Sequence, residues 1–268
     1  MESGRASHLD HLIFQFRTLL EQSPMNLTDV LQNPPRAQRK PDGEYVSMGL
    51  AADVSHFISD HVDDSSFTLE TGCGLSTVLF ALSGARHICI TPATDEIDRI
   101  KEYCGRNGIA LDKVTFHASS SEKVLPGIEC DSLDLVLIDG RHGFPAPFID
   151  FYYTAGKLKI DGLLVIDDTW LWTGEILKQI LLLEPEWKLE VDFSPRASAF
   201  RKLAEGSQTK EWTEQNFVVS NSILKLDVPP PSYFVTAGRY LKRGEFAVLG
   251  RMVARKLGRF VRPNGKIA

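Results

Sequence analysis

The sequence predicts an α/β domain built on a doubly wound, mostly parallel sheet of about seven strands. Two short apolar runs, Leu135–Ile138 and Leu163–Ile166, break off directly into acidic residues. Such runs are typical of strands that are buried on both faces of a parallel sheet. Strand-like and helical segments alternate along the chain, and after Pro185 two strand-like runs follow each other. Together these observations predict a Rossmann-like sheet with an antiparallel hairpin at its C-terminal edge.

The elements of this core follow from the periodicity of its apolar residues. The predicted strands are 67–70, 87–91, 114–117, 133–138 and 162–166, followed by the hairpin strands 187–193 and 197–203. The predicted helices are 77–82, 94–107, 121–125, 145–158 and 174–183, with a further helix in 49–62 before the first strand. Within 145–158, Phe148 and Tyr152 are interpreted as part of the packed, apolar face of the helix.

Four segments are predicted from the changes in pattern. Residues 1–45 are interpreted as a helical cover and linker, with an amphipathic helix at 8–22 and a Pro-rich loop at 33–43. Residues 46–206 form the predicted core domain, residues 207–238 a connecting segment, and residues 239–268 a tail.

Charge and cysteine usage narrow the classes of function. The net charge is −5, but residues 239–268 hold nine Lys and Arg against Glu245 alone and therefore carry +8, which leaves −13 for residues 1–238. An acidic body argues against nucleic-acid binding. The four cysteines show no CxxC pairing, which argues against a zinc site or disulfide framework. With no signal-peptide pattern and no apolar run long enough for a membrane span, a cytoplasmic protein is expected.

The basic tail has a pattern of its own. In residues 245–261, Phe246, Leu249, Val253 and Leu257 recur at helical spacing between Arg and Lys residues. A basic amphipathic helix of this kind can bind a membrane surface peripherally or dock on an acidic partner. The alternatives are packing on the acidic body of the same chain and a frayed end, and a homo-oligomer is also left open.

Three acids follow the two apolar strands that define the fold. Because ligands of open α/β sheets bind beyond the carboxyl ends of the strands, Asp139, Asp167 and Asp168 are expected to converge on one crevice. Three neighbouring carboxylates repel one another, so they predict a divalent cation, with Mg²⁺ favoured and Mn²⁺ or Ca²⁺ as alternatives. The alternative interpretation is that Asp167 or Asp168 caps the next helix, or that Asp139 only orients a cofactor.

A glycine-rich turn follows the first strand of the core. Glu70-Thr-Gly-Cys-Gly-Leu-Ser76 places Gly72 and Gly74 where a strand turns into a helix. Glycines there allow a ligand to approach the backbone, and the Ser76 hydroxyl with the helix N-terminus can meet an anionic group. A purely structural turn is the alternative. The turn is not GxGxxG, and no acid ends the second strand, so a dinucleotide site is disfavoured.

These motifs make the chain resemble the class I S-adenosylmethionine-dependent methyltransferases over residues 45–205. Within that class it is most similar to the metal-dependent O-methyltransferases of the catechol and macrolide-sugar (macrocin) types. In the catechol type the turn ends in Cys-Gly-aromatic-Ser, which is similar to Cys73-Gly-Leu-Ser76. The resemblance implies that Glu70 and Ser76 hold the methionine end of the cofactor, and that Ser121 and Glu122 contact the adenine. It also implies that Asp139, Asp167 and Asp168 bind the metal.

The resemblance has one departure and one further implication. Where the class has an acid that binds the ribose hydroxyls, this chain has Thr91. Asp95 is a candidate substitute, but its position favours a role at the start of a helix. His142 lies three residues after Asp139, at the offset that carries the general base in the related enzymes. An imidazole suits that role near neutral pH, although a structural pairing with a carboxylate is the alternative.

The resulting prediction is metal-assisted methylation of a small-molecule hydroxyl, in which Asp139 and His142 are the catalytic residues. The acceptor is a sugar, a polyketide or a phenolic compound, and Trp170 and Trp172, directly after the acid pair, are candidates for the wall of its pocket. Two other functions stay open at this point: an NAD-dependent oxidoreductase on a similar sheet, and a non-catalytic, methyltransferase-like binding module.

Overall fold

A computed structural model of the chain describes residues 25–130, 132–206 and 209–222, together with residue 250. The predicted helix 8–22 therefore lies outside the described residues, as does the basic tail apart from residue 250. Within the described part of the chain, no helix is long and apolar enough to cross a membrane.

The core is a seven-stranded sheet, which confirms the predicted fold class. Its strands are β3 (Phe67–Thr71), β4 (Arg86–Thr91), β5 (Val114–Ala118), β6 (Leu133–Ile138), β7 (Leu158–Ile166), β8 (Trp187–Phe193) and β9 (Ala197–Lys202). They are arranged in the order β5-β4-β3-β6-β7-β9-β8. The strands from β5 to β7 pair in parallel, and β9 pairs antiparallel with both β7 and β8. Two short strands, β1 (Gln38–Arg39) and β2 (Tyr45–Val46), form a separate antiparallel pair.

Helices connect the strands and cover the sheet. They are α1 (Leu27–Gln32), α2 (Ala52–His61), α3 (Leu75–Leu82), α4 (Thr94–Arg106), α5 (Ser121–Val124), α6 (Ala146–Ala155), α7 (Trp172–Leu183) and α8 (Asn216–Asn221). A 3₁₀ turn, Leu125–Gly127, continues α5.

From Leu135 to Ile138, β6 has apolar residues only, instead of alternating apolar and polar residues. Val136 and Ile138 pack in one cluster with residues of α6 and α7, whereas Leu135 and Leu137 pack in another with residues of α2. Alternate side chains of a strand point to opposite faces, so both faces of β6 are buried. The polar residues that follow therefore emerge only at the end of the strand.

Two expectations about the region after β6 were wrong. The helix predicted for 145–158 ends at Ala155, because Leu158 already pairs with Leu133 as the first residue of β7. Tyr152 is 57% exposed and does not belong to the packed face of the helix, whereas Phe148 packs against the core as expected.

Candidate functional site

A cavity of about 830 Å³ opens at the carboxyl ends of β3, β4, β6 and β7. Its volume is in the upper part of the roughly 300–1,000 Å³ range of small-molecule sites. Ten of the eleven predicted site residues line it: Gly72, Gly74, Ser76, Thr91, Ser121, Glu122, Asp139, His142, Asp167 and Asp168. Glu70 is the eleventh and does not reach the cavity wall.

The glycine turn lies directly against the loop that carries Asp139. Gly72 has φ +101°, and a Cβ there would approach the backbone oxygen of Asp139 to 2.2 Å. The backbone N–H of Asp139 donates to the carbonyl of Thr71 at 3.1 Å. Only glycine satisfies both the left-handed backbone and the close contact. The first strand and the acid after the fourth parallel strand are thereby held together.

Glu70 is the centre of a buried polar network beneath the turn. Its carboxylate accepts hydrogen bonds from the hydroxyls of Ser76 and Thr77, at the start of α3. His87 on β4 lies with Nε2 3.1 Å from Glu70 Oε1, and its Nδ1 is 2.8 Å from the Thr68 hydroxyl. Because the Ser76 proton is donated to Glu70, this hydroxyl has no proton left for a ligand. The backbone N–H groups of Gly72 and Gly74 also have partners, since they donate to the carbonyl of Ile90 at 2.9 Å and to the Thr77 hydroxyl at 3.0 Å.

The carboxyl groups of Asp139 and Asp167 have raised pKa values. Burial raises the pKa of Asp139 well above its usual range, and the nearby carboxylates of Asp167, Glu70 and Asp168 raise it further. Burial is also the largest cause of the raised pKa of Asp167, although the backbone N–H of Asp168 and the charge of Arg196 oppose the shift. The Asp167 Oδ1 atom is buried and has no hydrogen-bond partner.

Asp168 connects several of the other side chains of the site. Its backbone adopts φ +49°, the left-handed region that Asp tolerates better than most residues. One carboxylate oxygen accepts a hydrogen bond from the indole N–H of Trp170 at 2.6 Å, and the other lies 3.0 Å from His142 Nε2. The sequence brought Asp168 and His142 to one crevice, but the part of Trp170 as a hydrogen-bond donor was not foreseen.

Arg196 is a site residue that the sequence did not reveal. Its guanidinium lies 3.9 Å from Asp167 and 3.8 Å from Asp168, and it is 5.2 Å from the ring centroid of Trp170. The turn between β8 and β9 carries it there, because Ser198 pairs with Ile166 in the antiparallel register. The position of Arg196 could therefore be predicted only once the pairing of these two strands was known.

The predicted metal ligands are close together, but they do not form a complete set. Among the residues that the structure describes, no group of three or more His, Cys, Asp and Glu side chains is arranged to hold a metal ion. Both oxygens of Asp168 already have partners in Trp170 and His142. Asp139 and Asp167 still offer the carboxylate oxygens that a divalent cation binds, and one oxygen of Asp167 is buried without a hydrogen-bond partner.

Glu96 is an acidic side chain that lies near the end of the second parallel strand. Thr91 lines the cavity, and its hydroxyl donates to Glu96 at 3.3 Å. Glu96, in the first turn of α4, also lines the cavity, and burial raises its pKa. Asp95 instead accepts a hydrogen bond from the Tyr45 hydroxyl at 3.1 Å and is not part of the cavity wall. Asp95 lies in the first turn of α4, which agrees with the helix-start role that the sequence favours for it.

The segment predicted as a Pro-rich linker folds over the glycine turn. The Gln38 side chain donates to the carbonyl of Cys73 at 2.8 Å and accepts from the backbone N–H of Met48 at 3.0 Å. A Cβ at Gly74 would approach the amide nitrogen of Gln38 to 2.7 Å. The hydrogen bonds of Gln38 thus attach β1 and the residues after β2 to the cavity, where Met48 is part of the wall.

Comparison with known protein families identifies the region around this cavity. Residues 69–169 match the family described as a methyltransferase domain. They include the glycine turn and all three acids of the site. No curated protein matches the sequence significantly.

Solved structures share the fold. The S-adenosylhomocysteine-bound methyltransferase PaMTH1 of Podospora anserina is 16% identical, with 76% of this chain and 97% of that chain covered and a TM-score of 0.50. Cofactor-bound Rv0187 of MTB is 17% identical, with 74% and 97% covered and a TM-score of 0.51. A Corynebacterium glutamicum protein is 13% identical, with 73% and 99% covered and a TM-score of 0.51.

The buried network beneath the turn generates a prediction about stability. His87→Phe keeps an aromatic ring against Phe80, on which His87 stacks at 4.3 Å, but removes the contacts with Glu70 and Thr68. We expect the free energy of unfolding to fall by about 2–4 kcal/mol, because a fully buried carboxylate loses a partner. Urea denaturation measures the change. The matched control, His56→Phe on the exposed side of α2, should stay within about 0.5 kcal/mol of wild type. Equal losses in the two variants would contradict the role of the network.

Proposed function

We propose that the chain is a class I S-adenosylmethionine-dependent methyltransferase that methylates a hydroxyl oxygen of a small molecule with His142 as general base, a proposal supported by the match of residues 69–169 to a methyltransferase domain. The observation that carries the proposal is the pair formed by His142 Nε2 and Asp168 Oδ2, 3.0 Å apart on the wall of the cavity. The matched family and the fold support methyl transfer. The histidine–carboxylate pair supports an acceptor whose proton must be removed.

The pair has the arrangement that a general base requires. If the Nε2–H of the neutral imidazole donates to Asp168, Nδ1 is left with a lone pair that can accept a proton. As the acceptor oxygen attacks the methyl carbon, its proton passes to Nδ1. The new O–C bond forms while the C–S bond breaks, and S-adenosylhomocysteine leaves as a neutral thioether. Asp168 then faces the imidazolium and stabilises its charge.

The cavity wall offers groups that suit each part of the cofactor. The backbone N–H groups at the start of α3, where Leu75 and Ser76 line the cavity, suit the methionine carboxylate. Glu96 suits the ribose hydroxyls, and Ser121 and Glu122 suit the adenine, as the resemblance implies. The remaining catalytic contribution is positioning, because oxygen, methyl carbon and sulfur must lie nearly in line.

We propose separately that the site binds a divalent cation. Asp139, Asp167 and Asp168 would hold it, and when bound it would lower the pKa of the acceptor hydroxyl. The support is the donor chemistry: an oxygen of Asp167 is buried without a hydrogen-bond partner, and burial, followed by the neighbouring carboxylates, raises the pKa of Asp139. The pairing of Asp168 with His142 and Trp170 limits that support.

Isothermal titration calorimetry with S-adenosylmethionine, S-adenosylhomocysteine and NAD tests the proposal as a whole. We expect one site for each of the sulfur compounds and none for NAD. Preference for NAD would point to an oxidoreductase. Cofactor binding with no methylation across a panel of phenols, polyketides and sugars would point to a binding module.

His142 provides the test of the base. With whichever acceptor wild type methylates, we expect His142→Gln to lower kcat by about 10²–10⁴-fold, because glutamine cannot accept the proton. The Kd for S-adenosylhomocysteine should stay unchanged, which separates catalysis from binding. His117→Gln on β5 is the control variant and should leave kcat as in wild type. A His142→Gln enzyme with near-normal kcat would refute the assignment.

Glu96 provides a test of cofactor binding with a defined dependence on pH. Glu96→Gln should weaken S-adenosylhomocysteine binding by roughly tenfold or more, because hydrogen bonds to a carboxylate exceed those to an amide. The ionised form binds, and the pKa of Glu96 is raised by burial. Wild-type affinity should therefore fall as the pH falls through that raised pKa, earlier than for an ordinary glutamate. Asp95→Asn is the control and should keep both the affinity and its pH profile, measured by calorimetry.

Asp167 provides the test of the cation. Because the pKa of Asp167 is raised in the folded protein, the unfolded chain loses this proton first, and stability without metal should fall as the pH rises through the raised pKa. Asp167→Asn should remove part of that fall, and millimolar Mg²⁺ or Mn²⁺ should raise the Tm of wild type but not of the variant. Absence of any metal-induced shift, together with full activity in a chelator, would remove the cation and leave methyl transfer standing.

A further inference from the structure

The guanidinium of Arg196 faces the acid pair of the cavity, Asp167 and Asp168. Within the described part of the chain, Arg196 is the only Lys or Arg side chain that forms an ion pair with either carboxylate. Its Nη2 atom lies 3.9 Å from Asp167 Oδ2 and 3.8 Å from Asp168 Oδ1. His142 also contacts Asp168, but an imidazole is charged only when it is protonated. A single guanidinium nitrogen is therefore shared by both carboxylates of the pair.

The backbone that carries Arg196 is fixed, but the side chain has room to move. Thr169, directly after the acid pair, donates from its backbone N–H to the Arg196 carbonyl at 2.9 Å and from its hydroxyl to the Pro195 carbonyl at 3.0 Å. The backbone N–H of Arg196 donates to the Phe193 carbonyl at 3.0 Å. The Arg196 side chain is 38% exposed, and its two distances to the acids are longer than direct hydrogen bonds. The guanidinium can therefore leave the acids by side-chain rotation while the turn keeps its place.

Trp170 gives the guanidinium a second partner at the cavity wall. The Cζ atom of Arg196 lies 5.2 Å from the ring centroid of Trp170. This distance is within the roughly 6 Å at which an aromatic ring attracts a cation. The indole is itself held by the hydrogen bond from its N–H to Asp168 at 2.6 Å. A guanidinium that rotates away from the carboxylates thus has an aromatic face beside it.

A divalent cation on the acid pair would lie close to this guanidinium. Mg²⁺ binds oxygen at about 2.1 Å, and the two oxygens of a carboxylate are about 2 Å apart. Added to the ion-pair distances of Arg196, these lengths place a cation on Asp167 or Asp168 within roughly 8 Å of Nη2. Two positive ions at that separation repel each other strongly in a partly buried cavity, where water screens them poorly.

The cation and the guanidinium also need the same oxygens. Asp168 Oδ1 faces Arg196 and accepts the Trp170 N–H, whereas Asp168 Oδ2 lies 3.0 Å from His142 Nε2. On Asp167, Oδ2 faces Arg196 and Oδ1 is buried without a hydrogen-bond partner. Because both oxygens of Asp168 are in use, a cation that binds the two carboxylates together has to take an oxygen from a present partner. The long ion pairs of Arg196 are the contacts that are lost at least cost.

We propose that Arg196 is the resident cation of the acid pair and that a divalent cation binds there only by displacing the guanidinium. Arg196 thereby lowers the affinity of the site for divalent cations. The backbone hydrogen bonds of Thr169 hold Arg196 beside the acids, so that its side chain returns when the cation leaves. The inference rests on the proposed cation site and names the residue that controls its occupancy.

Titration of Mn²⁺ into the full chain, followed by calorimetry without acceptor, tests the proposal independently of turnover. We expect wild type to bind Mn²⁺ weakly and Arg196→Gln to bind it more tightly by roughly tenfold or more, because the repulsion is removed. Arg196→Lys keeps a positive charge and should bind Mn²⁺ more weakly than Arg196→Gln does. Each variant should bind S-adenosylhomocysteine as wild type does, which shows that its fold is intact.

Arg141→Gln is the matched control. Arg141 is also an arginine of the cavity wall, but it forms no ion pair with the acid pair among the residues that the structure describes. Its removal should change the Mn²⁺ affinity by less than about threefold. An equal gain in Arg141→Gln and Arg196→Gln would overturn the proposal, because any loss of positive charge would then suffice.

The remaining outcomes separate this inference from the proposals on which it rests. Equal Mn²⁺ affinity in wild type and Arg196→Gln would overturn the displacement and leave the cation site standing. Absence of Mn²⁺ binding in both proteins would remove the cation site together with the inference. Failure of wild type to bind S-adenosylhomocysteine would instead contradict the proposed methyl transfer.

Discussion

The charge balance around Asp168 determines how the parts of the site fit together. Its carboxylate holds a histidine from the loop after β6 and the tryptophan that follows in its own loop. The guanidinium of Arg196 approaches it from a third direction, the turn between β8 and β9. Each partner offsets part of the cost of keeping carboxylates together in a partly buried place. Removing Asp168 would thus disconnect three segments that are distant in sequence.

The fold was predictable because its signals are local. The apolar runs of β6 and β7 end at the acids, and helices separate the parallel strands, so strand order and the crevice follow from general rules of α/β sheets. Most of the cavity wall was predictable for the same reason, since Gly72, Ser121, Asp139 and His142 all lie within four residues after the end of a strand.

The remaining part of the site depends on tertiary placement, which local patterns do not encode. Glu96 rather than Asp95 reaches the cavity because of the rotation of α4, where adjacent residues differ by about 100°. Arg196 reaches it through the pairing of Ser198 with Ile166. Glu70 was expected at the ligand, but its hydrogen bonds with Ser76, Thr77 and His87 retain it beneath the turn. No short-range signal indicated that Gln38 binds Cys73 across the glycine turn.

The turn between β8 and β9 lies beyond residues 69–169, which match the methyltransferase domain, and yet it delivers Arg196 to the acids of the site. The contacts proposed for the cofactor come from within the matched segment, at Ser76, Glu96 and Ser121. Changes in the length or composition of the hairpin would alter the acceptor end of the cavity while leaving the cofactor end intact. The proposed cofactor contacts thus lie within the matched segment, whereas the hairpin adds Arg196 to the cavity from outside it.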